Sequence, residues 1–144
     1  MRETKVERKT DETEIEISLS LDGSGVHNVS TGVGFLDHML AHLALHGLFD
    51  LNVRVRGDSH IDMHHTIEDT AVVLGQSFDH ALGDRKGIVR MGDAYVPMDE
   101  AMAHVAVDLS GRPYAVIHAE WKTHSIGQFP TSLVAHFFES LSVN

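Results

Sequence analysis

Cysteine is absent from the 144 residues and proline occurs only three times. Without thiols there is neither a disulfide framework nor a thiolate metal site. No apolar run approaches the roughly eighteen residues that would read as a membrane span. Residues 1–11 are charged and lack an apolar stretch, so they do not read as a secretory signal, and a cytoplasmic location is the expectation. Cations are scarce: 11 Lys and Arg face 21 Asp and Glu, a formal charge of −10. Nucleic acid requires a basic face, so no nucleic-acid partner is expected. An anionic small molecule would have to meet a local cluster of arginines working against the global charge. What remains is 42% apolar and 22% charged, an ordinary globular balance in a chain long enough to bury a core. The abundant residue is histidine, present twelve times. With no cysteine, any divalent metal would be held by imidazole and carboxylate, a donor set suited to Mn, Fe, Ni, Co or Zn.

The patterning predicts a mixed α+β chain. Residues 5–10 and the alternating run 13–19 read as strands, with Ile15, Ile17, Leu19 and Leu21 on one face. Asp22-Gly23-Ser24-Gly25 reads as a hairpin turn into a returning strand at 26–29. Residues 35–45 carry Leu36, Met39, Leu40 and Leu43 at helical spacing, with Gly47 as the stop. A strand at 51–56 follows, then a helix from about Asp62 to Leu82 that buries Ile67, Ala71, Leu74, Phe78 and Ala81 and ends at Gly83.

The order then begins again. Asp11-Glu12 precedes Asp99-Glu100 by 88 residues, and the same offset pairs Ile17 with Val105, Leu19 with Val107 and Gly23 with Gly111. A turn at 109–112, a strand at 114–118 and a helix over 129–141 continue the second unit, with an inserted hairpin around 120–128. Matching His38 to His136 requires an offset of 98. The units are therefore placed at residues 1–86 and 87–144, packed as one globular body. The second is expected to be incomplete, lacking a strand and a second histidine-rich helix of roughly forty residues in all.

The sharpest local pattern is Asp62-Met63-His64-His65-Thr66-Ile67-Glu68-Asp69. On a helix His64 and Glu68 share a face at i and i+4, a common arrangement for metal ligands. His65 is rotated by about 100°, so two adjacent imidazoles serve two directions more readily than one ion. The bland alternative is a solvated helix start. His38, His42 and His46 form a second stripe at i, i+4 and i+8, which is more often solvated surface, and His46 is read that way. His27, His60, His80, His104, His118 and His124 carry no usable pattern and default to surface or satisfied interior.

Several segments together resemble the imidazoleglycerol-phosphate dehydratase family. They are Gly-Val-Gly-Phe-Leu-Asp-His-Met (32–39), His-His-Thr-Ile-Glu-Asp (64–69), Pro-Met-Asp-Glu-Ala (97–101), Gly-Arg-Pro-Tyr (111–114) and the flanking Arg8–Thr13 and Ala135–Phe138 stretches. The resemblance implies an α+β fold of a duplicated unit, each a four-stranded mixed sheet with two helices on one face, ribosomal protein S5 domain 2-like. It implies a homo-oligomer whose trimers form a 24-subunit shell, with two manganese ions per site between subunits. Carried over by position, His38, His64, His65, Glu68 and His136 would be metal ligands, and Glu12 an acid/base candidate with Asp99 and Glu100 as the second unit's carboxylates. Arg90 and Arg112 would bind phosphate, and His42 stands where a glutamine is often found near it.

The implied reaction removes water from imidazole glycerol phosphate to give imidazole acetol phosphate in histidine biosynthesis. Removing a non-acidic C–H proton and expelling hydroxide needs an electron sink, which a metal on the substrate's imidazole provides. A carboxylate must move protons near neutral pH, and Glu12 is the first candidate. Two rivals stand beside this: a metallohydrolase on the same ligands, and an inactive, metal-free trimeric assembly intermediate, since a second His-His-x-x-Glu motif is not in the sequence.

Overall fold

A computed structural model describes residues 2–144. Its contacts divide the chain into two compact units, Met1–Gly83 with Tyr114–Asn144, and Asp84–Pro113.

In the first unit four strands form one mixed sheet: β1 (Glu3–Lys9), β2 (Thr13–Ser20), β3 (His27–Ser30) and β4 (Asp50–Gly57), in spatial order β1-β2-β4-β3. The alternation along β2 sends Ile15, Ile17 and Leu19 inward, opposite Val55, Val53 and Leu51 of antiparallel β4, and all six are buried. The opposite face of β2 carries Glu14, Glu16 and Ser18. Helix α1 (Gly34–Gly47) connects β3 to β4, and α2 (His64–Leu82) follows β4.

The Asp22–Gly25 segment does not close a hairpin. β3 pairs parallel to β4, and β2 lies between β1 and β4. The cause is Asp50, whose carboxylate accepts the backbone N–H groups of Ser24 (2.8 Å) and Val26 (3.0 Å) and draws the turn past the end of β4. A Cβ on Gly23 would lie 2.3 Å from the Asp50 nitrogen, so this passage requires glycine.

Helix α1 buries Leu36, Leu40 and Ala44, a narrow stripe at one-turn spacing, and leaves Met39 and Leu43 exposed. The expected apolar face was thus one row too wide. Its C-terminal left-handed residue is Leu48 (φ 56°) rather than Gly47, and its N–H donates to the Ala44 carbonyl. In α2 Ile67, Ala71, Leu74 and Ala81 are buried as the spacing predicts, and Phe78 is half-buried. None of these helices is long and apolar enough to cross a membrane.

The repeat is visible in the element bounds. β6 (Ala101–Asp108) begins and ends 88 residues after β2, and β5 (Met91–Met98) begins 88 after β1. The pair forms an antiparallel ribbon, and this is the Asp84–Pro113 unit. Every residue of both strands is exposed, because within its own unit the ribbon has no third strand or helix to pack on. The predicted strand at 114–118 is not formed; Tyr114 and Val116 are exposed, and no described strand of its own unit pairs with it. The inserted hairpin is present in shorter form as β7 (Ser125–Ile126) and β8 (Phe129–Pro130), turning at Gly127 in the left-handed region. The expected helix start at Phe129 is therefore a strand, and α3 runs over Leu133–Val143.

Two close approaches hold the helices where the histidines meet. A Cβ on Gly75 would lie 2.5 Å from the Leu141 carbonyl, so Gly75 lets α3 settle directly on α2. A Cβ on Gly57 would lie 1.9 Å from Oγ1 of Thr66, which is fully buried in the first turn of α2. Gly57→Ala should force that turn off the end of β4 and cost about 1–3 kcal/mol, the range for overpacking a filled site. Urea unfolding checks it; an unchanged midpoint would show that Thr66 moves aside freely.

Candidate metal centre

The N-terminal ends of α2 and α3 lie side by side. His64 opens α2, and the Asp62 carboxylate just before the helix accepts the His64 backbone N–H at 2.7 Å. One turn on, Glu68 points both oxygens at imidazoles: Oε2 lies 3.3 Å from His64 Nε2 and Oε1 lies 3.3 Å from His136 Nε2. His136 comes from the first turn of α3, and its ring centroid is 5.0 Å from that of His64. One ligand atom from each of the three lies within 4.8 Å of the others. His136 Nε2 is buried and has no hydrogen-bond partner despite the nearby carboxylate. A buried polar nitrogen left unpartnered is costly, and a cation between the imidazoles and the carboxylate would satisfy it. Two imidazoles and one carboxylate, all half-buried or partly exposed, fit a divalent transition-metal ion.

His65 faces elsewhere, as adjacent helical positions require. Its Nδ1 lies 2.9 Å from Asp58 Oδ2, and this hydrogen bond, with the surrounding charges of Asp58, Glu12 and Asp62, raises its pKa above the ordinary histidine value. Glu12 therefore lies close enough to His65 for its charge to be felt there.

The Glu12 turn is rigidly held. Thr10 Oγ1 accepts the N–H groups of Glu12 and Thr13, Thr10 N–H donates to the Thr13 carbonyl, and Asp58 N–H donates to the Glu12 carbonyl at 3.0 Å. Asp69 locks this end of the sheet to α2: its Oδ2 accepts from Thr13 Oγ1 and lies 2.6 Å from Arg8 Nη1.

Within the same unit, His38 and His42 do not join the cluster. His38 is exposed on α1 and packs edge-on to His42 at 4.3 Å, and His42 lies 5.3 Å from His46. Asp99 and Glu100 form the exposed two-residue turn between β5 and β6, with Asp99 in the left-handed region (φ 50°). Arg90 is engaged by Asp108 through two hydrogen bonds of 2.6 and 2.9 Å, which raise the guanidinium pKa and lower that of the carboxylate. Arg112 is exposed and also lends positive charge to Asp108. The six unpatterned histidines are all exposed. Sequence reasoning gave no role to Asp58 or Asp69. Asp58 lies seven residues before His65 across a loop, and no helical or strand spacing joins such a pair.

A family model for imidazoleglycerol-phosphate dehydratase matches residues 31–144. The dehydratase of Roseiflexus sp. is 57% identical over 143 residues, covering 99% of this chain and 72% of the relative. That of Methanococcoides burtonii is 54% identical over the whole chain and 75% of its own length. Among solved structures, the dehydratase of Staphylococcus aureus superposes with a TM-score of 0.84 at 38% identity, covering 96% of this chain and 76% of that one. The Pyrococcus furiosus protein in complex with (S)-C348 gives a TM-score of 0.80 at 31% identity, covering 94% and 72%.

Proposed function

The chain belongs to the imidazoleglycerol-phosphate dehydratase family, and on that premise we propose that it is built for the metal-assisted dehydration of imidazole glycerol phosphate to imidazole acetol phosphate in histidine biosynthesis. The observation that carries this is the His64, Glu68 and His136 cluster with its buried, unpartnered Nε2. We assign these three to one ion and His65, aimed in a second direction, to another, with manganese as the metal. A divalent ion held there supplies the electron sink that the substrate's imidazole needs for loss of hydroxide. Glu12, fixed beside His65 by its turn, is the group placed to take up or return the proton at carbon, since general acid–base work needs a rigidly positioned carboxylate. Arg112 offers a charged fork for phosphate, and Arg90 would serve the same end by exchanging Asp108 for it. His38 and His42, exposed on α1, would reach a metal or substrate of a neighbouring copy in a cytoplasmic homo-oligomer. The 88-residue echo of β1 and β2 in β5 and β6 supports keeping the unit boundary between residues 86 and 87, with Asp99 and Glu100 as the second unit's carboxylates.

Among the described residues three donors gather round one position where the reading calls for two ions, so we infer that the 144 residues by themselves are catalytically silent; that they form a trimer is carried over from the family resemblance. Given manganese and substrate, a chain extended to the family length should form imidazole acetol phosphate and release no inorganic phosphate; phosphate release would favour a metallohydrolase instead. Native mass spectrometry of the 144 residues should show trimers with or without manganese, and growth to 24 subunits would overturn the silent-trimer reading.

A further inference from the structure

We propose that Asp58 is a positioning residue for the metal centre: it takes the Nδ1–H of His65, fixes the ring's tautomer and rotation, and so presents Nε2 as the ligand atom. This rests on the reading of His65 as a ligand. Asp58 follows the last residue of β4, and its backbone is held on both sides, by its own N–H to the Glu12 carbonyl (3.0 Å) and by the Ile61 N–H to its carbonyl (2.8 Å). Only 10% of its side chain is exposed. Oδ2 lies 2.9 Å from His65 Nδ1, while Oδ1 is buried with no hydrogen-bond partner. A carboxylate so placed is costly to bury, and a sheet end gains nothing from it unless it directs something. What it directs is the ring. Neutral imidazole carries one N–H, and donating it from Nδ1 leaves the lone pair on Nε2. His64 and His136 turn Nε2 toward their own cluster, so all three rings would bind through the same atom, His65 at its separate ion. A ligand histidine whose second nitrogen donates to a carboxylate is oriented and made more basic, and losing such a partner typically costs about 10–100-fold in metal affinity.

The test uses Asp58→Ala, Asp58→Asn and His65→Asn in a chain extended to the length of its relatives, so that the ion assigned to His65 has its further ligands. Long-range 15N NMR of the metal-free protein should show His65 protonated on Nδ1 in the wild type and shifted toward Nε2 protonation in Asp58→Ala. Asp58→Asn, which keeps an acceptor oxygen in place, should largely retain the native tautomer. Manganese titration followed by electron paramagnetic resonance should give a dissociation constant about 10–100-fold higher for Asp58→Ala and a smaller rise for Asp58→Asn. A general loss of stability would not shift the tautomer of one ring. If His65→Asn weakens binding and Asp58→Ala does not, the positioning role is wrong and the ligand reading stands. If His65→Asn leaves binding unchanged, the ligand reading itself falls, and the proposal with it.

Discussion

Glu68→Gln is expected to weaken manganese binding at least about a hundredfold, because it removes a direct ligand where loss of a supporting partner alone costs about 10–100-fold. Glu68 is the one anionic member of its cluster, and each of its oxygens faces a different imidazole at 3.3 Å. An amide keeps the shape but carries no charge, and its NH2 group would turn a donor toward one of the two histidines. The side chain is partly exposed on α2, so the substitution creates no cavity and should leave the far-ultraviolet circular dichroism unchanged. Equilibrium dialysis against manganese reads the effect. An affinity within about threefold of wild type would mean that the three side chains pair with one another and hold no ion.

The same cluster shows how far local sequence pattern reaches. The His64 and Glu68 pair follows from one-turn spacing alone, since a helix must place them on one face. The divergence of His65 follows from the same geometry. That His136 completes the group does not: it depends on α3 lying against α2, which requires Gly75 to present no Cβ to the Leu141 carbonyl. Repeat symmetry pointed to His136 through its equivalence with His38, yet the structure gathers only one of the two.

In the fold, the period-two face of β2 and the buried stripe of α2 were legible because each is decided by its own residues meeting a large apolar partner. The errors share a cause. The course of residues 22–30 depends on Asp50, which contacts Ser24 and Val26 from more than twenty residues away, and residues 114–118 have no described strand of their own unit to pair with. Alternation prescribes which face a strand would bury; whether a partner is present to bury it is a tertiary matter.

Glu12→Gln should lower turnover by about 10²–10⁴-fold, the usual contribution of a positioned acid or base, while leaving KM near its original value. The measurement belongs on a chain extended to the length of its relatives and loaded with manganese. Glu12 is exposed, so neutralising it costs little in folding, and its turn is held by the Thr10 hydroxyl and by Asp58 through backbone groups that glutamine leaves intact. The position of the side chain is therefore preserved and only its capacity to exchange a proton is lost. The charge of Glu12 also acts on His65, so the substitution should bring the His65 pKa down toward the ordinary histidine value. That second effect is separable from the first. It favours the neutral ring, which is the ligand form, so manganese affinity at mildly acidic pH should hold or rise while turnover falls. A parallel loss of both would make Glu12 part of the metal's electrostatic surroundings, and near-normal turnover would remove it from proton transfer and leave Asp99 as the next candidate.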